Sequence, residues 1–241
     1  MANAIADPIA VPSPDGTISL WWCSLAPPRE WRDLLAWLSP DECRRMERFG
    51  NATMRVRYLI GRATLRHLLG RALGVAPVDV ALERGPRGRP QLGGQPTLDF
   101  NVSHTGDVAL IAISREGRIG VDLERSDRAI NSTGVARKFL TARERASFAS
   151  WDPDAARRRI LLLWTCKEAL SKATGDALSA PLARLDVDVE PALRLAAGPA
   201  PYLPAHFALF AARVPDDHIA TVALWRPCNA TGPATPETQH R

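Results

Sequence analysis

The chain has 241 residues, 46% hydrophobic and 24% charged, with 31 Lys+Arg against 26 Asp+Glu for a formal net charge of +5. These values exclude a disordered or fibrous chain, and the longest apolar runs, Val108–Ile113 and Phe207–Ala212, are far too short to span a membrane. The opening Met1–Pro8 has no basic-then-apolar leader pattern, and Cys23, Cys43, Cys166 and Cys228 are scattered without a C-x-x-C, so the expectation is a cytoplasmic monomer with reduced thiols.

In chain order, Thr17–Leu25 reads as a strand. Ser39-Pro40-Asp41-Glu42 has the N-cap, N1 and N3 residues of a capping box and opens a helix to about Phe49. A longer helix is predicted over Thr53–Leu69, closed by Gly70. A short strand at Val78–Leu82, a Gly/Pro/Arg loop over Gly85–Pro90 and paired strands at Thr97–Val102 and Val108–Ser114 follow. Beyond that come a strand at Arg118–Leu123, a second capping box at Thr141–Glu144 and a long helix, Ala155–Ala173, closed by Gly175. Strands at Leu185–Val189, Phe207–Arg213 and Ile219–Trp225 complete the pattern, and Pro227–Arg241 reads as a polar tail.

The second half repeats the order of the first. Ile18/Ile119, Leu38/Leu140, Gly70/Gly175, Val80/Val187 and Val108/Ile219 match at offsets of 101, 102, 105, 107 and 111. The expectation is therefore α+β: two similar α/β subdomains, residues 1–114 and 115–225, related by a pseudo-two-fold duplication, with a flexible tail over 226–241. The seam falls near Arg115–Gly117, and a cleft between such halves is a natural ligand site.

Three segments carry chemistry. In Gly120-Val121-Asp122-Leu123-Glu124, alternation along a strand points Asp122 and Glu124 to one side and Val121 and Leu123 to the core. Two such carboxylates suit a hard cation such as Mg²⁺, or else form a solvated strand end beside Arg118 and Arg125. Trp164, Glu168 and Lys172 stand four apart on one helix face. Glu168 and Lys172 are either a surface ion pair or, given the apolar run Ile160–Trp164, charges on a helix buried nearly all round. Phe100-Asn101-Val102-Ser103-His104-Thr105-Gly106 ends in a donor-rich turn that can serve structure or a phosphate equally.

Taken in order, these segments resemble the 4′-phosphopantetheinyl transferases of the surfactin type, the long two-subdomain family. Phe100–His104 matches F-N-x-S-H, Gly120–Glu124 matches G-x-D-x-E, and Trp164–Lys172 matches W-x-x-K-E-x-x-x-K. The likeness extends upstream through Leu38–Gly61 and Gly88-Arg89-Pro90. It implies two α/β halves with the site between them. It also implies transfer of the phosphopantetheine arm of coenzyme A to a serine of an apo acyl or peptidyl carrier protein, with release of adenosine 3′,5′-bisphosphate.

By the same resemblance, Asp122, Glu124 and Glu168 are the ligands of Mg²⁺. Glu168, directly or through a metal-bound water, takes the serine proton, with Lys172 and Asp122 completing the catalytic set and Lys172 neutralising phosphate charge. Arg45, Arg57, Gly88, Arg89, Pro90, Ser103, His104 and Lys172 form the coenzyme-binding set, with His104 on the 3′-phosphate. Two departures are visible: Arg89 stands where the family often has lysine, and Glu42 where members can carry a basic residue. The expected partners are acidic carrier proteins, with no nucleic acid and no membrane. A non-catalytic module binding nucleotides, nucleic acid or carrier proteins is the alternative. It draws on the arginines at 84–89 and 157–159, and three carboxylates at the centre argue against it.

Overall fold

The computed structural model describes residues 9–11, 16–94, 98–148 and 152–227. The first half begins with β1 (Ile9–Val11) and β2 (Ile18–Ser24), followed by α1 (Pro40–Glu47) and α2 (Ala52–Leu73). A hairpin of β3 (Leu82–Arg84) and β4 (Pro90–Leu92) leads to β5 (Asp99–Thr105) and β6 (Val108–Ser114). The second half runs through β7 (Arg118–Arg125), α3 (Ser132–Phe139), α4 (Ala142–Phe148), α5 (Pro153–Thr174), β8 (Asp186–Asp188), β9 (Arg194–Ala197), β10 (Phe207–Ala211) and β11 (His218–Trp225). The architecture is α+β: antiparallel sheets of order β1-β2-β6-β5 and β10-β11-β7, with helices segregated to their outer faces.

Helix starts follow the capping chemistry. Ser39 Oγ accepts from the Glu42 N–H at 3.3 Å while Glu42 Oε2 accepts from the Ser39 N–H at 2.9 Å. Asn51 Oδ1 caps α2, accepting from Thr53 and Met54. Thr141 and Glu144 repeat the reciprocal pair at the start of α4. The end of α2 differs from the expectation. The helix continues through Gly70 and stops at Gly74, whose φ of 74° is left-handed. Gly70 is small for another reason: a Cβ there would lie 2.7 Å from the Val75 carbonyl oxygen.

The strand expected over Val78–Leu82 is also corrected. Pro77–Asp79 is a 3₁₀ turn, and only Leu82–Arg84 is extended. The carbonyls of Pro77, Val78 and Val80 turn inward to accept from the buried Arg66 guanidinium instead of joining a sheet. Thr97, expected to start the next strand, and the expected tail beyond Pro227 lie outside the described residues.

Three apolar clusters result. One joins α2 to the outer face of the first sheet through Leu59, Ile60, Ala63, Leu69, Phe100 and Ile111. A second joins α5 to the second sheet through Ile160, Leu163, Cys166, Ala169, Leu170 and Ala223. The third is shared, with Ile18, Leu20, Leu110 and Ala112 from the first sheet packing on Ile119, Val121, Leu123, Val222 and Leu224 from the second. The two sheets therefore face each other across a common core.

Candidate active site

The site starts from the alternation of β7. Val121 and Leu123 lie in the shared core, so Gly120, Asp122 and Glu124 take the opposite side, where α5 crosses. Gly120 sets how close that helix can come. A Cβ at position 120 would lie 2.0 Å from the Ala169 carbonyl oxygen and 2.5 Å from the Ala173 nitrogen. Backbone thus rests on backbone, and Glu168 and Lys172 are brought down onto Asp122 and Glu124. From Ile160 to Thr174 no residue of α5 is exposed, and Trp164, Glu168 and Lys172 form part of its half-buried stripe.

Lys172 uses its three donors here. Nζ bonds Asp122 Oδ1 at 2.7 Å, Ser103 Oγ at 3.0 Å and the Val121 carbonyl at 3.0 Å. Ser103 Oγ donates to Asp122 Oδ1 at 3.0 Å. Asp122 Oδ2 is buried and has no hydrogen-bond partner among the described residues. Such an orphaned anionic oxygen is costly unless something else is to bind it.

Glu124 is paired with Arg128. Burial raises its pKa above the ordinary value, Arg128 opposes the rise and Asp122 adds to it, with Lys172 and a hydrogen bond from Trp164 pulling down. Burial also raises Glu168, reinforced by the negative charges of Asp122 and Glu124 and opposed by Lys172. The three carboxylates therefore feel one another.

In donor type they fit a hard divalent cation, since they offer oxygen only and one of those oxygens, Asp122 Oδ2, has no partner among the described residues. Among the described residues no group of three or more His, Cys, Asp or Glu side chains is arranged to hold a metal ion, and Lys172 and Arg128 are paired with Asp122 and Glu124.

Beside this cluster is a cavity of about 500 Å³ between α1, α2, β4 and β5. It brings together Arg45, Arg57, Pro90 and His104 from the expected coenzyme set. His104 is exposed; partial desolvation and then the charge of Lys172 push its pKa down, against the pull of Asp122. Ser103 is buried beside the cavity, facing Asp122.

Gly88 does not line this cavity. It holds the tight turn of the β3–β4 hairpin, with φ of 80° and its N–H on the Gly85 carbonyl. Glu42 is shared between the buried Arg66 at 2.7 Å and the cavity-lining Arg62 at 3.4 Å, so it offsets only part of the cavity's positive charge.

The structure gives Arg89 another job from the one expected. Its guanidinium meets Asp99 bidentately at 2.9 and 2.7 Å and donates to the carbonyls of Lys172, Phe100 and Ile119. It thereby clamps α5, β5 and β7 together, with few donors left for a phosphate. Arg89 lines a different, larger cleft of about 940 Å³ at the opposite end of β7. There Arg87 and Arg226 are paired with Asp176 and Glu116.

Several residues were missed in the sequence. Arg62 and Tyr58 line the cavity, and the Tyr58 hydroxyl is buried without a hydrogen-bond partner among the described residues. Arg84 is close enough to Arg45 and Arg62 that, after desolvation, their like charge lowers its pKa. Asp99 and Asn101 were also missed, though their signal is visible: polar residues at every second position of a strand whose other face is Phe100 and Val102.

Residues 118–223 match the family model described as the 4′-phosphopantetheinyl transferase superfamily, and residues 22–116 match 4′-phosphopantetheinyl transferase, N-terminal. The gap between the two matches falls at the β6–β7 turn. The chain is 36% identical over 222 residues to the 4′-phosphopantetheinyl transferase HetI of Nostoc sp., covering 87% of this chain and 90% of that one. It is 26% identical over 148 residues to the 4′-phosphopantetheinyl transferase Sfp of Bacillus subtilis, covering 61% and 65%. The L-aminoadipate-semialdehyde dehydrogenase-phosphopantetheinyl transferase of Homo sapiens is 26% identical over 194 residues, covering 75% and 63%.

Proposed function

The chain belongs to the 4′-phosphopantetheinyl transferase superfamily, and we propose that it transfers the 4′-phosphopantetheine arm of coenzyme A to a serine of an apo acyl or peptidyl carrier protein, leaving adenosine 3′,5′-bisphosphate. The observation that supports this most is the orphaned Asp122 Oδ2, buried within electrostatic reach of Glu124 and Glu168 and beside a cavity lined by arginines. We read the two halves as one unit duplicated. Their sheets share the order β2-β6-β5 and β7-β11-β10, and each carries its long helix between matching strands.

In this reading Arg45, Arg57 and Arg62 hold the phosphates of the adenosine half, and exposed His104 donates to the 3′-phosphate. Asp122, Glu124 and Glu168 would hold Mg²⁺, which would neutralise charge on the transferring phosphoryl group. Glu168 accepts the proton of the carrier serine as its oxygen attacks phosphorus and the bisphosphate departs. Lys172, released from Asp122, neutralises phosphate charge. Among the described residues no helix is long and apolar enough to cross a membrane, and we place the enzyme in the cytoplasm as a monomer meeting acidic carrier surfaces.

The test is incubation with coenzyme A, Mg²⁺ and a panel of apo carrier proteins, followed by mass spectrometry. The wild type adds a phosphopantetheine-sized mass to at least one carrier. Asp122→Ala and Glu168→Ala abolish the gain, by about a thousandfold or more in rate, while circular dichroism stays native. Full activity in both variants removes the carboxylate site.

A further inference from the structure

β5 and β7 are the outermost strands of different sheets, and they run side by side without a backbone ladder. Side chains of one strand join the main chain of the other instead. Asp99 Oδ2 accepts from the Ile119 N–H at 2.8 Å, Asn101 Oδ1 from the Val121 N–H at 3.0 Å and Ser103 Oγ from the Leu123 N–H at 3.1 Å. The geometry of strands makes this possible. Alternate side chains of β5 point one way, alternate N–H groups of β7 point back, and both have a period of two. The offset is constant, since 119 − 99, 121 − 101 and 123 − 103 are all 20.

A slip of one rung would carry Ser103 about 6.6 Å along β7, well out of reach of Asp122. Apolar packing alone does not forbid such a slip, because Ile119, Val121 and Leu123 are all aliphatic and all in the shared core. The rungs differ chemically, and that sets the register. The first carries the Arg89 clamp, the third carries Lys172 and Asp122, and the middle one is a neutral amide.

We propose that this three-rung ladder sets the register between the two halves and that Asn101 is a positioning residue for phosphopantetheine transfer. Asn101 is buried, and it lines the 500 Å³ cavity on one side while holding the Val121 N–H on the other. The Val121 carbonyl in turn receives Lys172 Nζ, which holds Asp122. Asn101 is thus a link between the wall of the coenzyme cavity and the strand that presents the carboxylates. The role in catalysis rests on the transferase reading above; the ladder as a register device does not.

Two readouts separate these, both on the full chain. Asn101→Leu keeps the branched shape and removes the acceptor, leaving the Val121 N–H buried and unpaired, whereas Asn101→Asp keeps an oxygen in place. Should Asn101→Leu not fold, Asn101→Ala makes the same comparison. Amide hydrogen exchange at Ile119, Val121 and Leu123 should rise together in Asn101→Leu and stay near wild type in Asn101→Asp. In the transfer assay, kcat of Asn101→Leu should fall about tenfold or more, the size that displaced reacting groups produce. Coenzyme A Kd, read by calorimetry, should change by less than kcat, and Asn101→Asp should recover most of the rate.

Tyr202→Phe, which also loses buried hydrogen bonds but lies off the ladder, should lower Tm and keep kcat. Exchange unchanged at Val121 overturns the ladder. Wild-type kcat in Asn101→Leu, or equal losses in Asn101→Leu and Asn101→Asp, overturns the positioning role. Coupled exchange in a protein that modifies no carrier would uphold the ladder and sink the transferase reading instead.

Discussion

The two halves of the molecule anchor their long helices in the same way and then use them differently. In the first, the capping-box acid Glu42 receives the buried Arg66 of α2, which also donates to the carbonyls of Pro77, Val78 and Val80. In the second, the capping-box acid Glu144 receives the buried Lys167 of α5 at 2.6 Å, and Lys167 also donates to the carbonyls of Phe139 and Leu182. Each device ties a short helix, a long helix and a loop with one buried cation. On the open side, α2 offers Arg57, Tyr58 and Arg62 to a cavity, and α5 offers Trp164, Glu168 and Lys172 to a strand of carboxylates. On α2 scaffold and cavity meet, because Arg62 lines the cavity and also lies 3.4 Å from Glu42.

Breaking the anchors should give the largest effects. Lys167→Met leaves Glu144 buried without a counter-charge and should cost about 3–5 kcal/mol in urea unfolding. Arg66→Met should cost less, because Arg62 remains 3.4 Å from Glu42. A reversed order would show that the two anchors are not equivalent.

Next comes the contact between helix and sheet. Gly120→Ala forces a Cβ into the α5 backbone and should cost about 3 kcal/mol, near the top of the range for overpacking. Gly61→Ala on α2 meets only the flexible Leu25 Cδ2 at 3.3 Å and gains helix propensity, so thermal melts should place it within about 1 kcal/mol of wild type. Equal costs would mean that α2 and α5 rest on their sheets alike.

The smallest effect separates the two functional faces. The folded-state pKa of Glu168 lies above its ordinary value of 4.5, so the native state binds that proton more tightly than the unfolded chain. Its contribution to stability is complete below pH 4.5 and is lost as pH rises through the raised value. With a chelator present, Glu168→Gln should therefore be more stable than wild type at pH 8, by about 1 kcal/mol, with the gap closing toward pH 4. Glu42→Gln should do the opposite at pH 8, since it breaks an ion pair with Arg66. A Glu168→Gln protein less stable than wild type at pH 8 would contradict the crowding of carboxylates described above.

How much of this could be read in advance depended on whether the cause was local. Both capping boxes, the facing of Asp122 with Glu124 and the helical stripe of Trp164, Glu168 and Lys172 follow from spacing, and they appear as expected. The end of α2 was misplaced because Gly70 is small to let the chain fold back over it, a contact with Val75 that no local pattern reveals. Val78–Leu82 has strand-like residues, yet a buried guanidinium 12 to 14 positions away claims its carbonyls. Arg89 looked like a phosphate ligand because the family resemblance extends over Gly88-Arg89-Pro90, and only the fold shows Asp99 already occupying its fork. The ladder on β5 was within reach, for Asp99, Asn101 and Ser103 alternate with the apolar Phe100 and Val102.

The manner in which β5 and β7 meet also bears on how this chain stays in solution. Each strand, taken alone, would end its sheet with a row of bare N–H and C=O groups, the kind of template on which foreign strands add and aggregates grow. Here three N–H groups along the edge of β7 are taken up by Asp99, Asn101 and Ser103 of β5. A half synthesised without its companion would expose that seam, so the molecule's protection against clumping is a property of the joined chain and of neither part.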